Sequence, residues 1–481
     1  MRVFIVQRII GVIVALSGAM MLPPLALSLA LDDGAATAFA ESLLVCLVAG
    51  GALWLPVRGA RGDMRLRDGF LVTALAWVTV SLFCALPLMW APPQLGFADA
   101  FFESASGLTT TGATVISGLD ALPKSVLLFR QTLHFYGGLG IIVLAIAVLP
   151  MLRVGGAQLF RTESAGSVKD TKLTPRIAET ARALWLIFVG LNVACAIAFW
   201  IGGMNVFDAI THAFSAVATG GFGNYDASFA QFDSHLLESI AIVFMFLGGV
   251  NFALHFNAWR RATLGGYFGD SELKAYFAIA LVASFVVTFE LYARGAYGFG
   301  ESLRHSSFHV VSSLTTTGFT TTGFAGWSGF APVLMILLGT IGGCAGSTAG
   351  GIKVVRIVVL LRQGAREMIQ LVHPRGRFHV KLGQLSVPGQ ALAAVTGFCT
   401  LYAVSFLVLT LALAATGLDF LTAWSAIGAT LSNLGPGLGR VGVHFGDLSD
   451  VAVWICSFAM ILGRLEIFTL LVLFMPAFWK E

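Results

Sequence analysis

Charge is scarce in this 481-residue chain: Asp, Glu, Lys and Arg together make 11% of it, against 57% hydrophobic residues. An ordinary soluble domain carries about a quarter charged residues, so a soluble fold is excluded and a polytopic membrane protein is expected. Cysteine is scarce as well. Cys46, Cys84, Cys195, Cys344, Cys399 and Cys456 fall singly inside apolar runs, which excludes a disulfide frame and a thiolate metal site. There is no HExxH, no CxxC pair and no serine-hydrolase elbow, so a membrane enzyme finds no chemistry here. The stretch "GLGRVG" at 437–442 spells GxGxxG without a βαβ context, so no cofactor is expected in this chain. The net charge of +4 does not point to nucleic acid either, because the basic residues lie in loops.

What the chain does have is long apolar runs, at about 10–30, 38–57, 69–90, 126–151, 181–201, 236–257, 273–293, 330–361, 386–415 and 449–478. By length that makes about ten crossings of a lipid membrane. The first run follows Arg2 and Arg8 like a signal peptide, but it is long enough to span and reads as a retained helix. Basic residues cluster in alternate loops: Arg58, Arg61, Arg65 and Arg67; Arg153, Arg161, Lys169, Lys172, Arg176 and Arg182; Arg260 and Arg261; Arg362, Arg366, Arg375, Arg377 and Lys381. The positive-inside rule then places both termini in the cytoplasm.

The intervening loops share a pattern. Each holds an amphipathic segment too short to cross, followed by polar residues and a glycine: "FADAFFESASGLTTTGATV" with Gly112, "NVFDAITHAFSAVATGGFGNY" with Gly221, "GESLRHSSFHVVSSLTTTGFT" with Gly318, and "LDFLTAWSAIGATLSNLGPGLG" with Gly435. The glycines are 109, 97 and 117 residues apart, so a helix–re-entrant loop–helix unit occurs four times. The expected fold class is an all-α polytopic membrane protein of four such repeats around a central pore. Two extra N-terminal transmembrane helices (1–66) precede repeats at 67–155, 175–262, 270–365 and 383–481.

Irregular backbone at membrane depth is tolerated only where protein or water satisfies it. Four such loops meeting on an axis can turn carbonyls inward and replace the hydration shell of a monovalent cation. Each short helix aims its negative C-terminal end at that ion. Glycine allows the alternating signs of φ that point successive carbonyls the same way. The ion-binding residues expected on this reading are Thr110, Thr111, Gly112, Thr219, Gly220, Gly221, Thr316, Thr317, Gly318, Asn433, Leu434 and Gly435. "SSLTTTG" at 312–318 matches "SGLTTTG" at 106–112, which leaves Thr320 to Gly323 as a segment of the non-cytoplasmic vestibule.

Along essentially its whole length the chain resembles the Trk/Ktr/HKT superfamily of K⁺ transporters. The resemblance rests on "GGLGIIVLAIAVLP" (137–150), "KLTPRIAETARALW" (172–185), "GGVNFALHF" (248–256) and "GGCAGSTAGGIKVVRI" (342–357), and on the two helices before the first repeat, a Trk feature. It implies K⁺ as the transported ion, since sodium-selective relatives carry serine where Gly112 stands. It also implies a homodimer in the bacterial inner membrane, with one pore per subunit and lipid around it. A separate cytoplasmic TrkA-type ring that binds NAD(H), ATP and ADP would regulate it. The fourth loop, "SNLGPG", departs from TTTG, as it does in the family. A Na⁺ or mixed-cation pathway is the alternative, and the residues leave channel-like conduction and H⁺- or Na⁺-coupled symport both open.

Gly342, Gly343, Gly346, Gly350 and Gly351 crowd ten positions and weaken any helix there. No Gly-Lys-Ser/Thr ends the stretch, so it is not a phosphate loop. By resemblance the stretch, with Ser347 and Thr348, is an intramembrane gate. Arg464 lies deep in the last span, where a charge is costly and functional. Glu466, two residues on, cannot share its helix face, so Arg464 is expected to face the pore and to hold the gate loop's unpaired carbonyls. Lys353 and Arg356 are expected at the cytoplasmic boundary, and Asn192, Asn251 and Glu290 in bonds between helices.

Overall fold

The computed structural model describes residues 2–60, 65–143, 173–383 and 385–480. The last part of the 126–151 span, and Arg61, Arg153, Arg161, Lys169 and Lys172, lie outside them. Among the described residues six helices are long and apolar enough to cross a membrane: Val3–Leu31, Ala36–Val57, Arg67–Trp90, Ala181–Ile201, Ser271–Ala293 and Gly389–Ala414. Two bent pairs pass the same test jointly, His235–Gly248 with Phe252–Arg261 (94°) and Asp450–Arg464 with Phe468–Phe474 (109°).

The N-terminal pair, α1 (Val3–Gly18, continued by α2, Leu22–Leu31) and α3 (Ala36–Trp54), crosses closely. A Cβ at Gly11 would lie 2.9 Å from the Trp54 nitrogen, and one at Gly50 2.6 Å from the Ala15 nitrogen. Small residues at such a crossing let two membrane helices meet backbone to backbone.

The rest of the chain follows as α4 (Leu66–Cys84), α5 (Leu86–Trp90), α6 (Phe97–Leu108), α7 (Lys124–Val143), α8 (Leu173–Ile201), α9 (Val206–Val217), α10 (His235–Gly248), α11 (Phe252–Arg261), α12 (Ser271–Ala293), α13 (Phe299–Leu314), α14 (Ala331–Ile341), α15 (Val354–Val372), α16 (Gly389–Ala414), α17 (Phe420–Leu431) and α18 (Asp450–Arg464). Of these, α6, α9, α13 and α17 are the short helices that lead into the four repeated glycines, with twelve residues each except α13, which has sixteen. At 1.5 Å per residue twelve residues cover about 18 Å and sixteen about 24 Å, both short of the ~30 Å apolar core.

Each short helix packs against the outgoing helix of the repeat before it: α9 on α7, α13 on α10, α17 on α14, and α6 on α18. That last contact closes the circle. The 330–361 run, apolar enough for one span, is broken, with α14 ending at Ile341 and α15 starting at Val354. A two-stranded hairpin, β1 (Lys381–Leu382) with β2 (Leu385–Ser386), pairs Lys381 with Ser386 and follows α15.

Candidate functional site: a ring of four loops and the loop docked on it

Each short helix ends the same way. The residue after its C-cap takes a left-handed conformation: Thr110 at φ 50°, Thr219 at 52°, Thr316 at 56° and Asn433 at 57°. The next amide reaches back to the helix: Thr111 N to Ser106 O (2.9 Å), Gly220 N to Ser215 O (2.8 Å), Thr317 N to Ser312 O (2.8 Å) and Leu434 N to Ala429 O (2.7 Å). These are Schellman closures, which glycine ordinarily makes. Three of the four here use threonine, whose branched Cβ makes left-handed φ costly. The surroundings impose it.

The glycine that follows returns to positive φ: Gly112 at 77°, Gly221 at 85°, Gly318 at 82° and Gly435 at 102°. At each, the neighbouring loop occupies the space a side chain would need. A Cβ at Gly112 would stand 2.0 Å from the Gly220 carbonyl oxygen, and one at Gly221 1.8 Å from that of Thr317. At Gly318 it would stand 2.2 Å from Leu434 O, and at Gly435 2.7 Å from Thr111 O. First loop meets second, second third, third fourth, and fourth first. The four glycines also line one cavity of about 530 Å³, together with Thr320, Thr322 and Gly323.

On the other side of the ring lies the loop between α14 and α15. Thr348 Oγ1 donates to Val217 O and Gly248 O, both at 3.0 Å, and accepts from Thr219 Oγ1 at 3.1 Å. Gly350 N donates to Thr316 Oγ1 (2.7 Å), and Gly351 N to Ser432 O (3.0 Å). Gly342 crosses the loop's own return, since a Cβ there would lie 2.2 Å from Gly350 O. Gly343 packs on Gly249, Gly346 on the Asn251 side chain, and Ser347 Oγ donates to Cys344 O at 2.6 Å. Arg464, 2% exposed, donates from Nη1 to Thr348 O at 2.9 Å. Thus the loop touches the second, third and fourth ring segments and is bridged to the break in the last span.

A family model described as a cation transport protein, TrkH, matches residues 35–481. The chain belongs to the TrkH family. It is 48% identical to the Trk system potassium uptake protein TrkH of Vibrio parahaemolyticus serotype O3:K6 over 98% of this chain and 99% of that one. TrkH of Escherichia coli K12 is 47% identical with 99% of both chains covered, and the TrkG protein of the same strain 38%. The crystal structure of the potassium transporter TrkH from Vibrio parahaemolyticus superposes over the full length of both chains, with a TM-score of 0.93 and 46% identity. The TrkH relatives are named as transporters and not as enzymes, and the fold is the all-α polytopic one.

Several expectations for this TrkH-family chain need correction. Lys353 and Arg356 do not sit at a solvated boundary: they are 7% and 1% exposed. The span breaks, so they fall in the tight first turn of α15 against the loop, and Lys353 Nζ donates to Ala349 O. Arg356 pairs with Glu466, which the break at 464–467 turns toward it, and lies 4.1 Å from the Phe398 ring centroid. Asn192 bonds its own helix at Phe188 O, while Asn251 caps α11 by accepting from Ala253 N. Glu290 does reach a second helix as expected, accepting from Phe330 N at the start of α14, besides pairing with Arg294 at the end of its own.

Sequence reasoning also missed Glu103, Arg130, Gln131 and His134. Arg130 and Glu103 form an ion pair at 2.8 Å, 1% and 0% exposed, beside the first two ring segments. The signal was available: "FRQTLH" puts two polar turns inside an apolar run, and charge at that depth is functional by default.

Proposed function

We propose that this chain takes up K⁺ across the bacterial inner membrane along the axis of the four-loop ring, with both termini cytoplasmic. One observation carries the reading: each of Gly112, Gly221, Gly318 and Gly435 abuts a carbonyl of the next loop, closing a ring of backbone oxygens. Such a ring exchanges a monovalent cation's water for carbonyls, and four helix C-termini add negative potential. Thr110, Thr111, Thr219, Gly220, Thr316, Thr317, Asn433 and Leu434 complete the strands that bear it. The names of the relatives, potassium uptake proteins alike over nearly their whole length, supply the ion.

The loop of Gly342, Gly343, Gly346, Ser347, Thr348, Gly350 and Gly351 is the gate, held shut by Arg464. Two chains pair as a homodimer in lipid, and a TrkA-type cytoplasmic ring carrying NAD(H) or adenine nucleotides moves the helices that release the loop. The test is growth rescue of a potassium-uptake-deficient strain, with uptake of radiolabelled Rb⁺ at several pH values. Rescue with Rb⁺ uptake supports the reading. Na⁺ uptake with no Rb⁺ uptake would replace it with a sodium pathway.

A further inference from the structure

The four ring segments are not held alike. Glu103 stands nine residues before Gly112; the same distance before Gly221, Gly318 and Gly435 stand His212, His309 and Ala426. His212 Nδ1 contacts Asp208 O of its own helix, and His309 Nε2 accepts from Thr321 N of its own loop. Ala426 has nothing to offer. Only Glu103 faces a cation.

That cation belongs to two loops at once. Arg130 donates from Nε to Glu103 Oε1 (2.8 Å) and from Nη1 to the Gly223 carbonyl (3.1 Å). Its guanidinium lies 4.1 Å from the Phe222 ring centroid, and His134, one turn on, stacks on the same ring at 4.3 Å. Gln131, between them, donates to Phe222 O at 2.8 Å. One face of α7 therefore grips the residues just past Gly221. Glu103 meanwhile accepts from Val115 N and from Thr114 Oγ1, both at 3.0 Å, just past Gly112. Among the described residues this is the one ion pair that ties two ring segments together, and Arg130 also lines the cavity above the glycines.

We propose that Glu103 and Arg130 are positioning residues that fix the spacing of the first and second ring segments, and so set the preference for K⁺ over Na⁺. The proposal rests on the K⁺ reading above. Carbonyl spacing and rigidity decide which ion's hydration shell is matched. A fully desolvated ion pair whose remaining hydrogen-bonding sites go to backbone and to the Thr114 hydroxyl resists displacement, because parting it strands a buried charge. Glu103 has a second effect: it cancels a guanidinium that would otherwise repel cations arriving in the cavity.

The test is uptake of radiolabelled Rb⁺ and Na⁺ by the full chain reconstituted in liposomes, with thermal melting recorded for each variant. Equal uptake of the two ions by the unaltered chain would sink the K⁺ reading itself, and is read first. Given a preference, Glu103→Gln and Arg130→Gln should each lower the Rb⁺:Na⁺ ratio roughly tenfold, within the range for coupled sites. Total uptake should fall in Glu103→Gln, which leaves a positive charge at the cavity, and not in Arg130→Gln. A merely structural role would not lower total uptake in one variant and spare it in the other. Arg130→Lys keeps the charge but not the fork that reaches Glu103 and Gly223 together, and should lower the ratio less. Folded variants with an unaltered ratio overturn the proposal. If the glutamine variants fail to fold, Arg130→Lys decides: a lowered ratio supports the proposal and an unchanged one overturns it.

Discussion

Two glycine-rich regions meet in this molecule, and they use glycine differently. In the four-loop ring each critical glycine faces a carbonyl of a neighbouring loop, and the loops are closed by backbone bonds to their own short helices. In the loop between α14 and α15, Gly342 faces Gly350 of the same loop, and beside backbone bonds such as Gly351 N to Ser432 O the docking runs through the side chains of Thr348, Thr316 and Arg464. A ring of backbone on backbone cannot be released by any one side chain. A loop pinned in part by side chains can be loosened by changing one of them. This is the physical difference expected between a selective element and a movable one.

The largest effects should come from breaking the ring, and the distances rank them. Alanine at Gly221, Gly112, Gly318 and Gly435 would place Cβ 1.8, 2.0, 2.2 and 2.7 Å from the facing carbonyl. All four also take on the strain of positive φ, about 1–3 kcal/mol. Loss of Rb⁺ over Na⁺ preference should follow that order, with Gly221→Ala the worst and Gly435→Ala the mildest. A reversed order would show that ring closure does not govern selectivity.

Next come changes that free the docked loop and spare the ring. Arg464→Ala leaves the buried Thr348 carbonyl without its donor, worth about 1–3 kcal/mol. Basal Rb⁺ uptake without the partner should rise about tenfold, since 1.4 kcal/mol is a factor of ten. Deleting part of Gly343–Gly350 should do the same, with the Rb⁺:Na⁺ ratio unchanged in both. Folded variants with reduced uptake and intact regulation would place the gate elsewhere. Thr348→Val, similar in shape, removes the hydroxyl that holds Val217 O and Gly248 O; at about 0.5–1.5 kcal/mol per bond, its rise in uptake should be smaller, several-fold.

The two regions also differ in how much the sequence disclosed. The short helices and ring glycines were legible because a pattern occurring four times at nearly equal spacing rules out a chance turn. The left-handed Thr110, Thr219 and Thr316 were not, because threonine disfavours that conformation and only the closing of the ring imposes it. The crowding at 342–351 marked the break between α14 and α15 correctly, but the consequence for Lys353 and Arg356 stayed hidden. A helix read as continuous carries those residues outward, whereas a broken one turns them onto the loop and onto Glu466. The Glu103–Arg130 pair joins residues 27 apart on different helices, and a single sequence has no term for such a contact.

The smallest effect concerns the entry to the fourth short helix, where the departure from TTTG is greatest. Asp419 caps α17 by accepting from Thr422 N at 3.1 Å, whereas Gly96 and Gly298 give α6 and α13 no side-chain cap. Bonds from the Thr422 side chain and backbone hold the Asp419 carboxyl below its usual value of 3.8. A carboxyl lowered by folding stabilises the folded chain above its unfolded value, and that contribution is lost as pH falls through the lowered one. Asp419→Ala should therefore melt slightly lower than the unaltered chain at neutral pH, with the gap closing as the sample is acidified below 3.8. Asp419→Asn keeps an acceptor for Thr422 N but gives up the charge at a helix N-terminus, so its melting should lie between the two at neutral pH. Rb⁺ preference should not change in either variant, because Leu434 is held from the other end of α17 by Ala429 O. A gap that stayed constant through acid would show that the charged cap does not hold this helix entry.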